Sequence, residues 1–160
     1  MTTITLPKLE TLKANVGKEI AVSGWKEITQ TDIDRFGMTT GDAEWIHTDV
    51  DQATAGSPYG GTIAQGLLSL CFLATFAKKS LSSETDCICV NYGFNRVRFP
   101  APVRAGQRIR AQLLVASVQR LMGGGRVTWK GTVEIENCEK PACYAELVSQ
   151  FLYTSLCRPS

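Results

Sequence analysis

The sequence predicts an α+β fold: a long central helix wrapped by a curved antiparallel β-sheet. Two observations predict it. Thr62 to Ser80, TIAQGLLSLCFLATFAKKS, is apolar nearly all round, as a helix covered on most sides must be. Four long runs follow, rich in β-branched and aromatic residues and separated by turn signals, the pattern of an antiparallel meander. So apolar a helix needs cover, and a curved sheet supplies it.

The 160 residues suit a single domain, 1–160, with no internal repeat and no linker. At 44% hydrophobic and 20% charged, the chain can bury a real core. A formal net charge of +2 is too small to argue for nucleic acid or an anionic membrane as partner. The N-terminus MTTITLPKLETLK lacks an apolar secretory core, so a cytoplasmic location is expected. Gly66 to Ala77, the longest apolar run, is too short to span a bilayer. The six cysteines lack zinc-ligand spacing and read as reduced, small apolar residues, with Cys71 mid-helix and Cys87 and Cys89 on one strand face. No metal site is expected.

The elements follow in order. LPKLETLKANVG reads as a short helix ended by Gly17, and KEIAVSGWKEIT as strand around Gly24. TQTDIDRF starts a helix, with Thr29 as cap and Asp32 near its positive end. GMTTGDAEW is expected to break that helix. DVDQATA reads as a short helix capped by Asp49, and TAGSPYGG as irregular chain. Lys78 and Lys79 suit the negative end of the apolar helix. The four strands are CICVNYGFNRVRF, QRIRAQLLVASVQRL, GRVTWKGTVEIE and ACYAELVSQFLYT, the second and third joined by a turn at Gly123 to Gly125.

The chain's single histidine lies in TTGDAEWIHTDVD, with Asp42, Glu44, Asp49 and Asp51 within five positions of it. This segment, continued through QATAGSPYGGTIAQGLLSL, resembles the MaoC-like hydratases of the hot-dog superfamily. It is most similar to the nodulation-protein-N-like branch, and VNYGFNRVRFPAPVRAGQRIRA resembles that branch too. The resemblance spans about Val16 to Tyr153. A lone D-x4-H pair would mean little, but GD-x4-H-x-D followed by YGGTIAQG is specific.

The resemblance implies a hot-dog fold and usually a homodimer joined at sheet edges. It implies reversible, (R)-specific hydration of trans-2-enoyl-CoA to (R)-3-hydroxyacyl-CoA, with coenzyme A part of the substrate and no separate cofactor. It assigns Asp42 and His47 as the catalytic pair holding one water, and Gly66 as the backbone donor to the thioester oxygen. Tyr59 and Gly60 would shape the pocket. The chemistry is consistent. Water must lose a proton, carbon 2 must gain one, and the thioester oxygen must carry negative charge. An imidazole with an ordinary pKa of about 6.5 suits the proton transfers. Amides of a first helical turn have no helical partner and suit the oxygen.

Two departures stand out. Gln65 occupies the place where relatives commonly carry histidine, and it can only hydrogen-bond. Ala74–Thr75 lies where some relatives carry a serine. Without the resemblance, His47 would read as a loop or capping residue and Asp42 as a turn residue after Gly41. Arg96 and Arg98 share one strand face, as do Arg108 and Arg110. They read either as phosphate ligands of coenzyme A or as a solvated surface. Asn91 and Asn95 read as pocket or interface residues. Two other functions compete. A hot-dog thioesterase often places an acid on or beside the central helix, and Thr62 to Ser80 has no Asp or Glu. A non-catalytic subunit that binds acyl thioesters is the second.

Overall fold

The computed structural model describes residues 4–5, 9–82 and 87–153. Two short strands, β1 (Ile4–Thr5) and β4 (Leu81–Ser82), pair in parallel. Helix α1 (Leu9–Ala14) follows, and Gly17 turns the chain at φ 84°. Residues 6–8 of the expected N-terminal helix lie outside the described residues. The strand expected next is two short strands, β2 (Glu19–Val22) and β3 (Lys26–Glu27), both laid against β6 (Arg108–Leu121).

Helix α2 (Gln30–Thr40) starts where Thr29 predicts. The Thr29 hydroxyl accepts the Asp32 amide at 3.2 Å, and the Asp32 carboxylate accepts the Thr29 amide at 3.2 Å, a reciprocal cap. The helix passes through Gly37 and ends at Gly41, φ 81°, inside the GMTTGDAEW segment expected to break it. Gly37 is needed for contact instead. A Cβ there would stand 2.9 Å from the Asp42 carbonyl oxygen and 3.2 Å from Gln65 Nε2. The chain then forms α3 (Trp45–Thr48) and α4 (Val50–Gly56). Asp49 caps α4 as expected, accepting the Gln52 amide at 2.9 Å.

Helix α5 (Gly66–Ser80) begins later than the apolar run suggests. Residues 62–64 are held extended by the segment that leads into β6, because Ala64 donates to the Val103 carbonyl and Ala105 to the Thr62 carbonyl. The strands β5 (Cys87–Arg98), β6, β7 (Gly124–Ile135) and β8 (Cys143–Tyr153) are all present. Gly124 and Gly125 belong to β7 rather than to the turn before it. The simple meander is corrected. The sheet order is β2-β6-β7-β8-β5, so β5 lies at the edge beyond β8, not beside β6. The connection from β5 to β6 therefore has to cross the sheet, and it does so past the start of α5.

One sheet face packs on α5. Ile109, Leu113, Val127, Trp129, Val133 and Leu147 are buried there. Leu73 of α5 nests at Gly131, where a Cβ would lie 2.6 Å from its Cδ2. The helix is not covered all round, contrary to expectation. Leu70, Leu73, Ala74 and Ala77 form its buried face, whereas Leu67 is 54% exposed. Within one chain the sheet covers a single side of α5. Cys71, expected to be buried, is exposed, and Cys143 is buried. Burial pushes the Cys143 thiol up to about 11. No described helix is long and apolar enough to cross a membrane.

Candidate active site

The site is built around Ile63, Gln65 and Gly66, where the chain enters α5. Ile63 comes first. Its carbonyl oxygen lies 2.6 Å from His47 Nδ1. A carbonyl can only accept, so neutral His47 carries its proton on Nδ1 and exposes the lone pair of Nε2. The Ile63 amide in turn donates to the Ile46 carbonyl at 3.1 Å, so the approach to α5 and α3 hold each other.

Gln65 comes two residues later and is 2% exposed. Its Nε2 donates to the Asp42 carbonyl at 3.0 Å and to the Ile33 carbonyl at 3.4 Å. Both amide hydrogens are committed to main chain, so Gln65 does not serve as a side-chain donor to a substrate oxygen. Its Oε1 is buried and has no partner among the described residues. Asp42 itself is exposed, and its amide reaches the Thr40 hydroxyl at 3.4 Å.

Gly66 follows as the first residue of α5, and its N–H has no hydrogen-bond partner among the described residues. The Phe99 ring, delivered by the crossing segment, lies over its Cα; a Cβ on Gly66 would meet Phe99 Cγ at 2.9 Å. With the ring in this position, only a residue without a side chain fits beneath it. Gly60 and Gly61, at φ 70° and 154°, make the turn before this segment, and Tyr59 is 39% exposed beside them. Asp42, His47 and Gly66, far apart in function by residue type alone, are thus all tied to residues 63–66.

Sequence reasoning missed Gln30. Its Nε2 donates to the His47 carbonyl at 2.7 Å, and its Oε1 accepts the Thr62 hydroxyl at 2.5 Å. A glutamine after an N-cap gives no local signal, because these partners lie 17 and 32 residues away. Phe99 was missed for the same reason. Thr75 is exposed and Ala74 buried, so positions 74 and 75 present no hydroxyl to the buried face of α5, where Ser69 supplies one instead.

Arg108 and Arg110 are paired with Glu136 and Glu134, and the Arg110 guanidinium lies 4.7 Å over the Trp25 ring. They form part of the outer sheet surface, as the plainer reading had it. Arg96 and Arg98 line a shallow outer depression with Lys130, Tyr144 and Glu146. Asn91 and Asn95 are exposed on β5. A groove of about 730 Å³ runs along the flank of α5, lined by Phe36, Thr40, Leu68, Cys71, Phe72 and Phe76 among others. Among the described residues, no cluster of His, Cys, Asp and Glu could hold a metal ion.

The profile of the MaoC-like domain matches residues 11–137. The chain belongs to this family. The MaoC-like chain is 39% identical over 150 residues to 3-hydroxyacyl-thioester dehydratase Z of Mycobacterium tuberculosis, covering 92% of this chain and 98% of that protein. It is 34% identical over 154 residues to nodulation protein N of Rhizobium leguminosarum, covering 94% and 95%. Among solved structures, a monoamine oxidase regulatory protein from Archaeoglobus superposes with a TM-score of 0.76 at 27% identity, covering 96% of this chain and 98% of that one. The fold is thus the hot-dog arrangement that the resemblance implies, a helix packed on an antiparallel sheet. The family is one of dehydratases, hydro-lyases in general terms.

Proposed function

We propose that this protein hydrates trans-2-enoyl thioesters to (R)-3-hydroxyacyl thioesters, and dehydrates them in reverse. The observation that carries the reading is the His47 Nδ1 contact to Ile63, three residues before Gly66. It leaves Nε2 available as a base, and the helix start three residues after Ile63 has a Gly66 amide with no partner among the described residues to bind an oxyanion. A water held between Asp42 and His47 loses its proton to this pair. Its oxygen bonds to carbon 3 while the double-bond electrons move onto the thioester oxygen. The Gly66 amide stabilises that oxygen, and one such donor is worth roughly 3 kcal/mol. A proton returned from the pair to carbon 2 completes the addition, so no proton is gained or lost.

The named activity of the 39%-identical mycobacterial relative, a 3-hydroxyacyl-thioester dehydratase, supports the same class. The acyl chain is assigned to the groove beside α5. The groove reaches Thr40, two residues from Asp42, and Leu68, two from Gly66, and its floor is aromatic and aliphatic. The thioesterase reading finds no carboxylate on α5 to support it.

The test follows loss of enoyl-thioester absorbance with crotonyl-CoA and a longer trans-2-enoyl-CoA, for wild type, Asp42→Asn and His47→Gln, with chiral analysis of product. Expected is wild-type turnover to the (R)-alcohol, lost by about 10²–10⁴-fold in both folded variants. Full activity in both variants, or release of free thiol without hydration, would sink the mechanism.

A further inference from the structure

We infer that Gln30 and Gln65 are paired positioning residues, each fixing the main chain of one member of the Asp42–His47 pair; their importance for turnover rests on the hydratase reading. The two side chains do the same thing in two places. Gln30 donates to the His47 carbonyl at 2.7 Å, and Gln65 donates to the Asp42 carbonyl at 3.0 Å. Neither glutamine touches the side chain that would do chemistry. Each holds the peptide from which that side chain projects.

The Gln30 contacts close a ring. Its Oε1 accepts from Thr62, and Thr62 is followed by Ile63, whose carbonyl takes His47 Nδ1. One amide therefore sets the spacing of both ends of the bond that selects the His47 tautomer. Gln30 is itself steadied by Asp34 one turn along, at 2.8 Å. Gln65 bridges in the other direction, from the start of α5 to the Asp42 and Ile33 carbonyls. The bare Cα of Gly37 makes room for it. Both amides thus brace the pair against one strut, α2. An amide suits this task because it offers a donor and an acceptor and does not titrate, so the bracing persists across the pH range in which imidazole changes charge. Misplacing a reacting group by about 1 Å can cost roughly 10²-fold in rate, which is the scale at stake.

The test uses the full chain and the fact that it contains one histidine. Long-range ¹H–¹⁵N spectra of histidine-labelled protein read the His47 tautomer with no competing signal. Wild type should show protonated Nδ1 and bare Nε2. Gln30→Met should give a mixture of tautomers, and Gln65→Met should leave the ring as in wild type. In the enoyl-CoA assay both variants should lose about 10–100-fold in kcat with KM changed less than about 2-fold. Should a methionine variant not fold, Gln30→Asn and Gln65→Asn keep a neutral amide but hold it one methylene short of these carbonyls, and give the same readings. A wild-type ring spectrum in Gln30→Met with unchanged kcat in both variants overturns the inference. So does a loss that falls on KM alone. If wild type turns over no enoyl thioester, the hydratase reading fails, while the Gln30→Met ring spectrum still decides whether the amide sets the tautomer.

Discussion

The Ile63 carbonyl and the Phe99 ring are not chemical groups of the proposed reaction, yet they decide what His47 and Gly66 can do. The first puts the imidazole proton on Nδ1. The second leaves no space for a side chain over the Gly66 amide. Gly66→Ala tests this directly. The added Cβ would lie 2.9–3.1 Å from the Phe99 ring, and Phe99 is 43% exposed and can swing away. The fold should survive, with melting temperature little changed. The displaced ring and the methyl should obstruct the amide, and kcat/KM should fall by about 10²-fold, the loss of roughly one oxyanion donor. Unchanged turnover in Gly66→Ala would remove this amide from the mechanism.

Helix α2 carries the site from behind, so its cap matters more than its exposed position suggests. Thr29→Ala should cost about 1 kcal/mol of stability at neutral pH, measured by denaturant unfolding. The cap also gives acid sensitivity. Burial opposes ionisation of Asp32, but the Thr29 amide, Lys26 and the Thr29 hydroxyl outweigh it and hold the carboxyl below its ordinary 3.8. A lowered carboxyl contributes stability above its unfolded pKa and loses it as pH falls through the folded one. The stability gap between wild type and Asp32→Asn should therefore narrow in acid below about pH 3.8, while the Thr29→Ala gap changes less, because that variant keeps the main-chain amide and Lys26. Along α5, Cys71 projects into the groove assigned to the acyl chain. Cys71→Trp should leave crotonyl-CoA turnover within about 2-fold and cut turnover of the longer enoyl-CoA by at least 10-fold, since overfilling an apolar site rejects only the ligand that needs the space. Equal loss on both substrates would place the chain elsewhere.

A homodimer joined through β5 is proposed for the assembled molecule. β5 ends the sheet order, and Val90, Tyr92 and Phe94 on it are 39–58% exposed. An edge strand this long and apolar invites pairing with another copy. Analytical ultracentrifugation should give twice the chain mass of 17.5 kDa. Val90→Lys should shift the protein toward monomer at micromolar concentration, because a lysine on an edge strand resists pairing. A monomeric wild type would overturn the assembly.

What the residues could announce was what neighbours in sequence decide. The Thr29 and Asp49 caps, the α5 run and the four long strands depend on periodicity and on contacts a few residues apart, and each forms as those signals indicate, although α5 starts at Gly66 rather than Thr62 and β7 takes in Gly124 and Gly125. The motif resemblance likewise pointed to Asp42, His47 and Gly66 before any fold was known. Strand order could not be read this way, because β5 reaches its edge by a crossing whose cost and gain lie in contacts with residues 62–64 and Gly66. The same holds for Gly37, which continues a helix that its residue type would end. Gln30, Gln65 and Phe99 acquire their roles from partners 17 to 33 residues away, beyond the reach of any local pattern. Periodicity reports which face a side chain lies on. Only packing brings an amide of α2, a carbonyl before α5 and one imidazole within hydrogen-bond distance of one another.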